Sequence, residues 1–223
     1  MTQKLFLAFI SFLSFHAISQ DLITVRSEIV DQSSEIYQLS IVEYQTEDYW
    51  AIWSGCPGEP FASSFLTPQQ FNHYGVSNIC DFDLKTAWVV SNEESGVGEK
   101  FGFTLDFQEG SKYGEAYQFY GILNVFNGYC KSLKTWTENA RLKILKLYLN
   151  DTPVCFIELI DTWHFQQFDL RVFFQNEYDT RFEDGFFEIK NGDNLTFEII
   201  EIYPGTKYSD VAVSLFMAEL AGN

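Results

Sequence analysis

The run Asp81-Phe82-Asp83-Leu84-Lys85-Thr86-Ala87-Trp88 sets two carboxylates and a hydroxyl within six residues. These are hard oxygen donors of the kind Ca²⁺ collects, together with backbone carbonyls. Asp81, Asp83 and Thr86 are therefore candidate ligands of a structural Ca²⁺. The competing reading is an Asx-type turn whose side chains bond their own backbone, with Trp88 turning inward to open the next strand. Further along, Tyr129, Lys131, Trp136, Asn139 and Arg141 bring rings, an amide and cations into one short stretch. Flat rings stack on the apolar faces of sugars, while amides and charges read the hydroxyls. These five residues, with Trp88, form the candidate ligand-binding set.

Other chemistries find no support. The glycines of Ser-Gly-Val-Gly-Glu-Lys-Phe-Gly-Phe (95–103) have the wrong spacing for a dinucleotide loop, and a strand follows where a helix is needed. There is no GxSxG, no HExxH and no Cys-His pair of familiar spacing. The 31 acids could supply a glycosidase pair, but none stands out from an acidic surface. No catalytic residue is assigned, and the expectation is a non-enzymatic protein.

The elements that would position these residues follow from the rest of the chain. Lys4, the apolar stretch Leu5 to Phe15 and Ala17-Ile18-Ser19 read as a signal peptide, cleaved before Gln20. The apolar stretch is too short to span a bilayer, and no later run is apolar enough to stop transfer. A secreted product is expected: extracellular, periplasmic or associated with a cell surface. Cleavage would remove Lys4 and no acid, taking the net charge from -17 to -18. Such a chain repels phosphate backbones and anionic headgroups, which excludes nucleic acid as a partner. Cys56, Cys80, Cys130 and Cys155 suit two disulfides in an exported protein. Local proximity favours Cys130–Cys155, which would leave Cys56–Cys80.

The hydrophobic pattern is that of strands. Phe101, Phe103, Leu105 and Phe107 alternate with polar or small residues, as do Tyr37, Leu39 and Ile41. Val211, Val213, Leu215 and Met217 make a last alternating strand. Leu145, Leu147 and Leu149 run through Asn150-Asp151-Thr152-Pro153 into Val154 to Ile160, a hairpin, with a helix through 142, 145 and 149 as the rival. Leu195, Phe197 and Ile199 share one face but Ile200 and Ile202 fall on the other, which predicts a bulge near Ile199-Ile200. Short strands joined by turns, without regular helices, predict an all-β sandwich or barrel. Gly55 to Pro60 separates a segment, residues 20–60, expected to pack on a main domain over 61–220. Lys131, Lys134, Arg141, Lys143 and Lys146, facing only Glu138, are either a solvated strand edge or a basic patch that orients a ligand.

Four runs occur together and in order: ASSFLTPQQFNHYGVSNICDFDLKTAWV, GVGEKFGFTLDF, FNGYCKSLKTWTENARLKILKLYLND and EIYPGTKYSDVAVS. Over residues 61–216 the chain resembles the discoidin-like (coagulation factor type C) domain named for the translocation region of a bacterial NAD-glycohydrolase toxin. The resemblance implies a galactose-binding-like jelly-roll β-sandwich and binding of glycan or a glycosylated cell surface rather than catalysis. The family's Asn-Gly-Tyr-x-Lys-Ser run falls on Asn127, Gly128, Tyr129, Lys131 and Ser132, and its Asn-x-Arg on Asn139 and Arg141. Its Tyr-Pro-Gly run falls on Tyr203, Pro204 and Gly205, followed by Lys207 and Asp210. The resemblance also implies a structural Ca²⁺ in the loop at Asp81. Two positions depart from the pattern: Cys130 fills a variable position, and Leu215 stands where a glutamate is usual. The expected function is a secreted, non-catalytic carbohydrate- or cell-surface-binding module that requires no cofactor. A secreted glycan-acting hydrolase and an envelope or adhesion protein binding a protein partner are the alternatives.

Overall fold

The computed structural model describes residues 22–30, 54–69, 71–91, 95–106, 117–175 and 187–222. The signal peptide, the strand expected at Tyr37–Ile41 and Phe107 lie outside these residues. Two sheets face each other. The first has the order β1-β9-β8-β13-β6-β4, from β1 (Thr24–Arg26), β9 (Thr152–Glu158), β8 (Arg141–Leu149), β13 (Asn194–Tyr203), β6 (Lys100–Leu105) and β4 (Gly58–Ala62). The second has the order β2-β10-β7-β14-β3, from β2 (Glu28–Ile29), β10 (Gln166–Asp169), β7 (Tyr117–Asn127), β14 (Ala212–Gly222) and β3 (Ser54–Gly55). A short β5 (Trp88–Val89) also pairs with β14, and β11 (Phe174–Gln175) pairs with β12 (Phe187–Glu188) outside both sheets. This is an all-β sandwich, as the strand pattern predicts, and it is the jelly roll that the family resemblance implies. Residues 24–29 of the N-terminal segment add one edge strand to each sheet.

Alternation decides which side chains meet between the sheets. Phe101, Phe103 and Leu105 of β6 are buried, and Leu145, Leu147 and Leu149 do the same from β8. Phe101 lies 5.3 Å from Phe197 and 5.0 Å from Phe216, so three strands meet in one aromatic cluster. Burying each such ring is worth about 1.5–3 kcal/mol. The β8–β9 connection is a hairpin, not a helix: Asn150 and Asp151 have φ of 47° and 66°, the two-residue turn that matches strand twist. The register of β13 against β8 shifts between Ile199 and Glu201, where the pattern required a bulge.

Three expectations need correction. Cys56 is bonded to Cys80 across a Cα–Cα distance of 5.5 Å, but Cys130 and Cys155 are free thiols. Cys155 packs between the sheets, whereas Cys130 packs against Phe126, Phe165, Leu215 and Met217 in a separate cluster. Burial pushes both thiols up to about 12. The last strand also does not keep one face. Val211 and Val213 join the central core, then the phase changes at Ser214, so Phe216 and Ala218 point inward while Leu215 and Met217 point away. Finally, the chain has a regular helix after all: α1 (Leu133–Glu138), six residues long. A capping box starts it, with the Ser132 hydroxyl accepting from the Thr135 amide and the Thr135 hydroxyl accepting from the Ser132 amide.

Candidate functional site

Strand direction brings several connections to one end of the sandwich. β7, β9 and β13 finish there, while β8, β10 and β14 begin there. That end therefore carries the β7–β8 loop with α1, the β9–β10 loop (159–165) and the β13–β14 loop (204–211). The 81–86 loop joins them through Leu84 and Phe82, which pack on the cluster of Phe126, Phe165 and Leu215 with Cys130.

Of the six candidate ligand residues, Trp136, Arg141, Asn139 and Trp88 are engaged with the protein itself, and Tyr129 is in part. Asn127 ends β7 and is fully buried. Its side-chain amide donates to the Leu142 carbonyl and its side-chain oxygen accepts from the Leu142 amide, at 2.7 and 3.0 Å. The chain then turns at Gly128, with φ of 95°, and the Trp136 indole lies against that turn. A Cβ at Gly128 would sit 2.6 Å from the ring, so only glycine fits. The Trp136 Nε1 donates to the Asn127 carbonyl at 2.8 Å. The other partner of the ring is Arg141, whose guanidinium carbon is 4.3 Å from the ring centroid. Arg141 is buried and forms a two-pronged ion pair with Asp161, at 2.7 and 3.0 Å. It also donates to the carbonyls of Trp136 and Asn139. The Asn139 side chain closes α1 by donating to the Thr135 carbonyl at 2.8 Å. Trp88, the fourth, is wholly buried, 4.8 Å from Phe101, with Nε1 donating to the Ser64 carbonyl. Trp88 is therefore corrected from ligand residue to core residue: it opens β5 and its ring turns between the sheets.

Tyr129 and Lys131 differ. Tyr129 is half-buried beside Tyr74, Val89 and Ala212, and its hydroxyl donates to the Lys85 carbonyl at 3.2 Å. Burial, followed by the nearby Tyr74 and Asp83, raises its pKa above the usual phenol value. Lys131 is exposed beside it. The basic run does not form one patch. Arg141 turns inward, Lys143 pairs with Glu201 at 2.6 Å, Lys134 approaches Glu138 at 3.9 Å, and Lys146 lies over the rings of Tyr148 and Phe156.

The Tyr-Pro-Gly run buttresses the same end. A Cβ on Gly205 would fall 2.5 Å from the Glu138 carbonyl oxygen, so the turn packs directly on the end of α1. The amides of Lys207 and Tyr208 both donate to that carbonyl.

The loop at Asp81 is closed by its own donors. Asp81 Oδ1 accepts from the Asp83 amide at 2.9 Å and Oδ2 from the Thr86 hydroxyl at 2.6 Å. Asp83 Oδ1 accepts from the Lys85 amide. The Ser214 hydroxyl donates to the Thr86 carbonyl at 2.9 Å and accepts from the Cys130 amide at 2.9 Å, tying two loops to β14. Leu215, next in sequence, points into an apolar cluster. Among the described residues no three or more His, Cys, Asp and Glu side chains are grouped to hold a metal. In this arrangement Asp81 and Asp83 accept from the loop's own amides and the Thr86 hydroxyl.

The sequence reading missed Asn127, Asp161 and Ser214 as the polar pins of this end, and it missed Trp163. The polar break Asp161-Thr162-Trp163-His164 between two apolar runs was the one available signal for that loop. Trp163 is 42% exposed at its centre.

Residues 54–218 match the family described as the NAD glycohydrolase translocation F5/8 type C domain. The chain belongs to this family. Solved structures that the chain matches include the CBM32-1 and CBM32-2 domains of Clostridium perfringens ZmpB, at 9% identity and a TM-score of 0.49, with 90% of this chain and 41% of that one covered. The same domains in complex with GalNAc match at 8% identity and a TM-score of 0.48, covering 91% and 41%. The mycobacterial arabinofuranosyltransferase AftD matches at 14% identity and a TM-score of 0.40, covering 76% and 12%. This chain thus spans about two-fifths of the length of the ZmpB structure. Among curated proteins nothing matches. Among the described residues of this F5/8 type C chain, no helix is long and apolar enough to cross a membrane.

Proposed function

We propose that the protein is a secreted, non-catalytic module that binds carbohydrate on a glycosylated surface through the loops at the α1 end of its sandwich. The observation that carries this reading is the construction of that end. Several loops of an F5/8 type C domain are held rigid by buried polar pins, and they present aromatic and cationic groups to solvent. Tyr129 and Lys131 border the ligand in this reading, while Trp136, Asn139 and Arg141 fix the loop from beneath. The 81–86 loop is a structural turn that needs no cation. The test is an array of N-glycans, O-glycans and glycosaminoglycan fragments probed with the full chain. Retention of a defined subset, with the glycans recovered intact by mass, is expected. Retention of none would sink the reading, and cleaved glycans would replace it with a hydrolase.

A further inference from the structure

We infer that Trp163 is the platform on which the sugar ring stacks, and that the ligand is a pyranoside with one unobstructed C–H face. This rests on the carbohydrate-binding reading above and names the residue and ligand class. A tryptophan can bury 150–250 Å², roughly, and leaving much of it in water forgoes stabilisation that the fold takes at Trp88. Flexibility does not explain the exposure, because both flanks of the ring are pinned. On one side the Leu159 amide donates to the Lys143 carbonyl, and the Leu159 carbonyl accepts from the Tyr203 hydroxyl at 2.9 Å. The Ile160 amide and carbonyl are both held by the buried Gln166 side chain, at 2.8 and 3.1 Å. Ser27, also buried, donates to the same Gln166 oxygen and accepts from the Ile160 amide.

The middle of the loop is held as firmly. Asp161 is clamped by the buried Arg141, the Thr162 amide donates to the Ile160 carbonyl, and the His164 amide donates to the Thr162 hydroxyl. On the other side Phe165 is wholly buried against Phe126, and its carbonyl accepts from the Val30 amide. A ring displayed on such a loop loses little conformational freedom when a ligand settles on it. Polar groups suited to hydroxyls stand in the same turn. The Asp161 side chain remains 38% exposed despite its ion pair, and the His164 ring is 6.0 Å from the indole centroid at an angle of 64°. Stacking supplies the sugar's apolar face and these groups read its edge.

The test compares Trp163→Ala, Trp163→Leu and Trp163→Phe with the unaltered full chain on the same glycan array, with a thermal melt of each. The proposal expects the Ala and Leu variants to lose at least tenfold in signal on every retained glycan, the Phe variant to keep most of it, and all melts to coincide. Wild-type retention with unchanged binding by the Ala variant would overturn the platform while leaving the glycan reading intact. Equal binding by the Leu and Phe variants would overturn ring stacking. Wild-type failure to retain any glycan would overturn both readings together.

Discussion

The stretches 128–141 and 159–165 lie at the same end of the sandwich, and each carries a tryptophan near a charged residue. In the first, Trp136 is held between Gly128 and the Arg141 guanidinium, with its Nε1 bonded to the Asn127 carbonyl. In the second, 42% of Trp163 faces solvent and its ring meets only the edge of His164 among the ring contacts of the described residues. The two loops are joined by one ion pair, Arg141 with Asp161. The difference teaches that Trp136, Asn139 and Arg141 of the first loop act as a scaffold. In the proposed reading, Trp163 on the second loop joins Tyr129 and Lys131 in facing the ligand. An indole that is slotted stabilises the fold, and an indole that is only supported is available for function.

The largest effect expected is on the slotted ring. Trp136→Ala removes a half-buried indole, a cation–π contact and the donor to Asn127, and should cost about 3 kcal/mol. Trp163→Ala should change stability by less than about 0.5 kcal/mol, as for a surface position. Urea unfolding of both variants checks the contrast. Similar losses from the two would break it.

How much of this was legible in the residues differs from element to element. The bulge after Ile199 could be read because a period of two leaves no other repair when the apolar face switches. The hairpin at Asn150-Asp151 could be read because those residues tolerate positive φ. The phase change at Ser214 could not, since both faces of β14 are apolar and alternation then carries no information. The disulfide pairing failed for a similar reason: nearness in sequence does not say which sheet face a cysteine occupies, and Cys130 and Cys155 face different clusters. The short α1 escaped because six residues give too few turns to show a period, and its cap uses threonine where glutamate or glutamine is the usual signal. At the candidate site the residue types were visible but their direction was not. Only packing distinguishes a tryptophan in the core, like Trp88, from one in solvent, like Trp163.

A middle-sized effect should appear where the loops are tied to β14. The Ser214 hydroxyl donates to the Thr86 carbonyl and accepts from the Cys130 amide, and the residue is wholly buried. Ser214→Ala leaves both partners without that bond in a site closed to water, at a cost of about 1–2 kcal/mol. Burial pushes the Cys130 thiol up to about 12, against a smaller lowering by the Ser214 hydroxyl, so any gain in reactivity on this substitution must come from loosening of the loop around it. Thiol labelling under native conditions reads this directly: silent in the wild type, measurable in the variant. Labelling of the wild type as fast as a free thiol would show that the 81–86 and 128–131 loops are not held as described.

The smallest expected effect is that of calcium, and its absence would sharpen the view of this end as self-supporting. Modules of the extracellular kind bind Ca²⁺ with dissociation constants of roughly 0.1–1 mM. A site of about 1 mM would add about 1.4 kcal/mol at about 10 mM Ca²⁺ if only the folded state bound the ion. In a chain of this size that would raise the melting temperature by about 3–6 °C. Here the acceptors that would face an ion already serve the loop's own donors. Asp81 holds the Asp83 amide and the Thr86 hydroxyl, Asp83 holds the Lys85 amide, and Ser214 holds the Thr86 carbonyl. An ion would have to displace these donors, and β14 offers Leu215 where a further carboxylate would stand. Melts in Ca²⁺ and in chelator should therefore superimpose. The informative variant is Asp81→Ala, which should lower the melting temperature equally in both conditions, because it unties the turn rather than releasing a metal. A stabilisation by Ca²⁺ that Asp81→Ala abolishes would show that the loop reorganises around a cation, and the turn described here would then be its ion-free form.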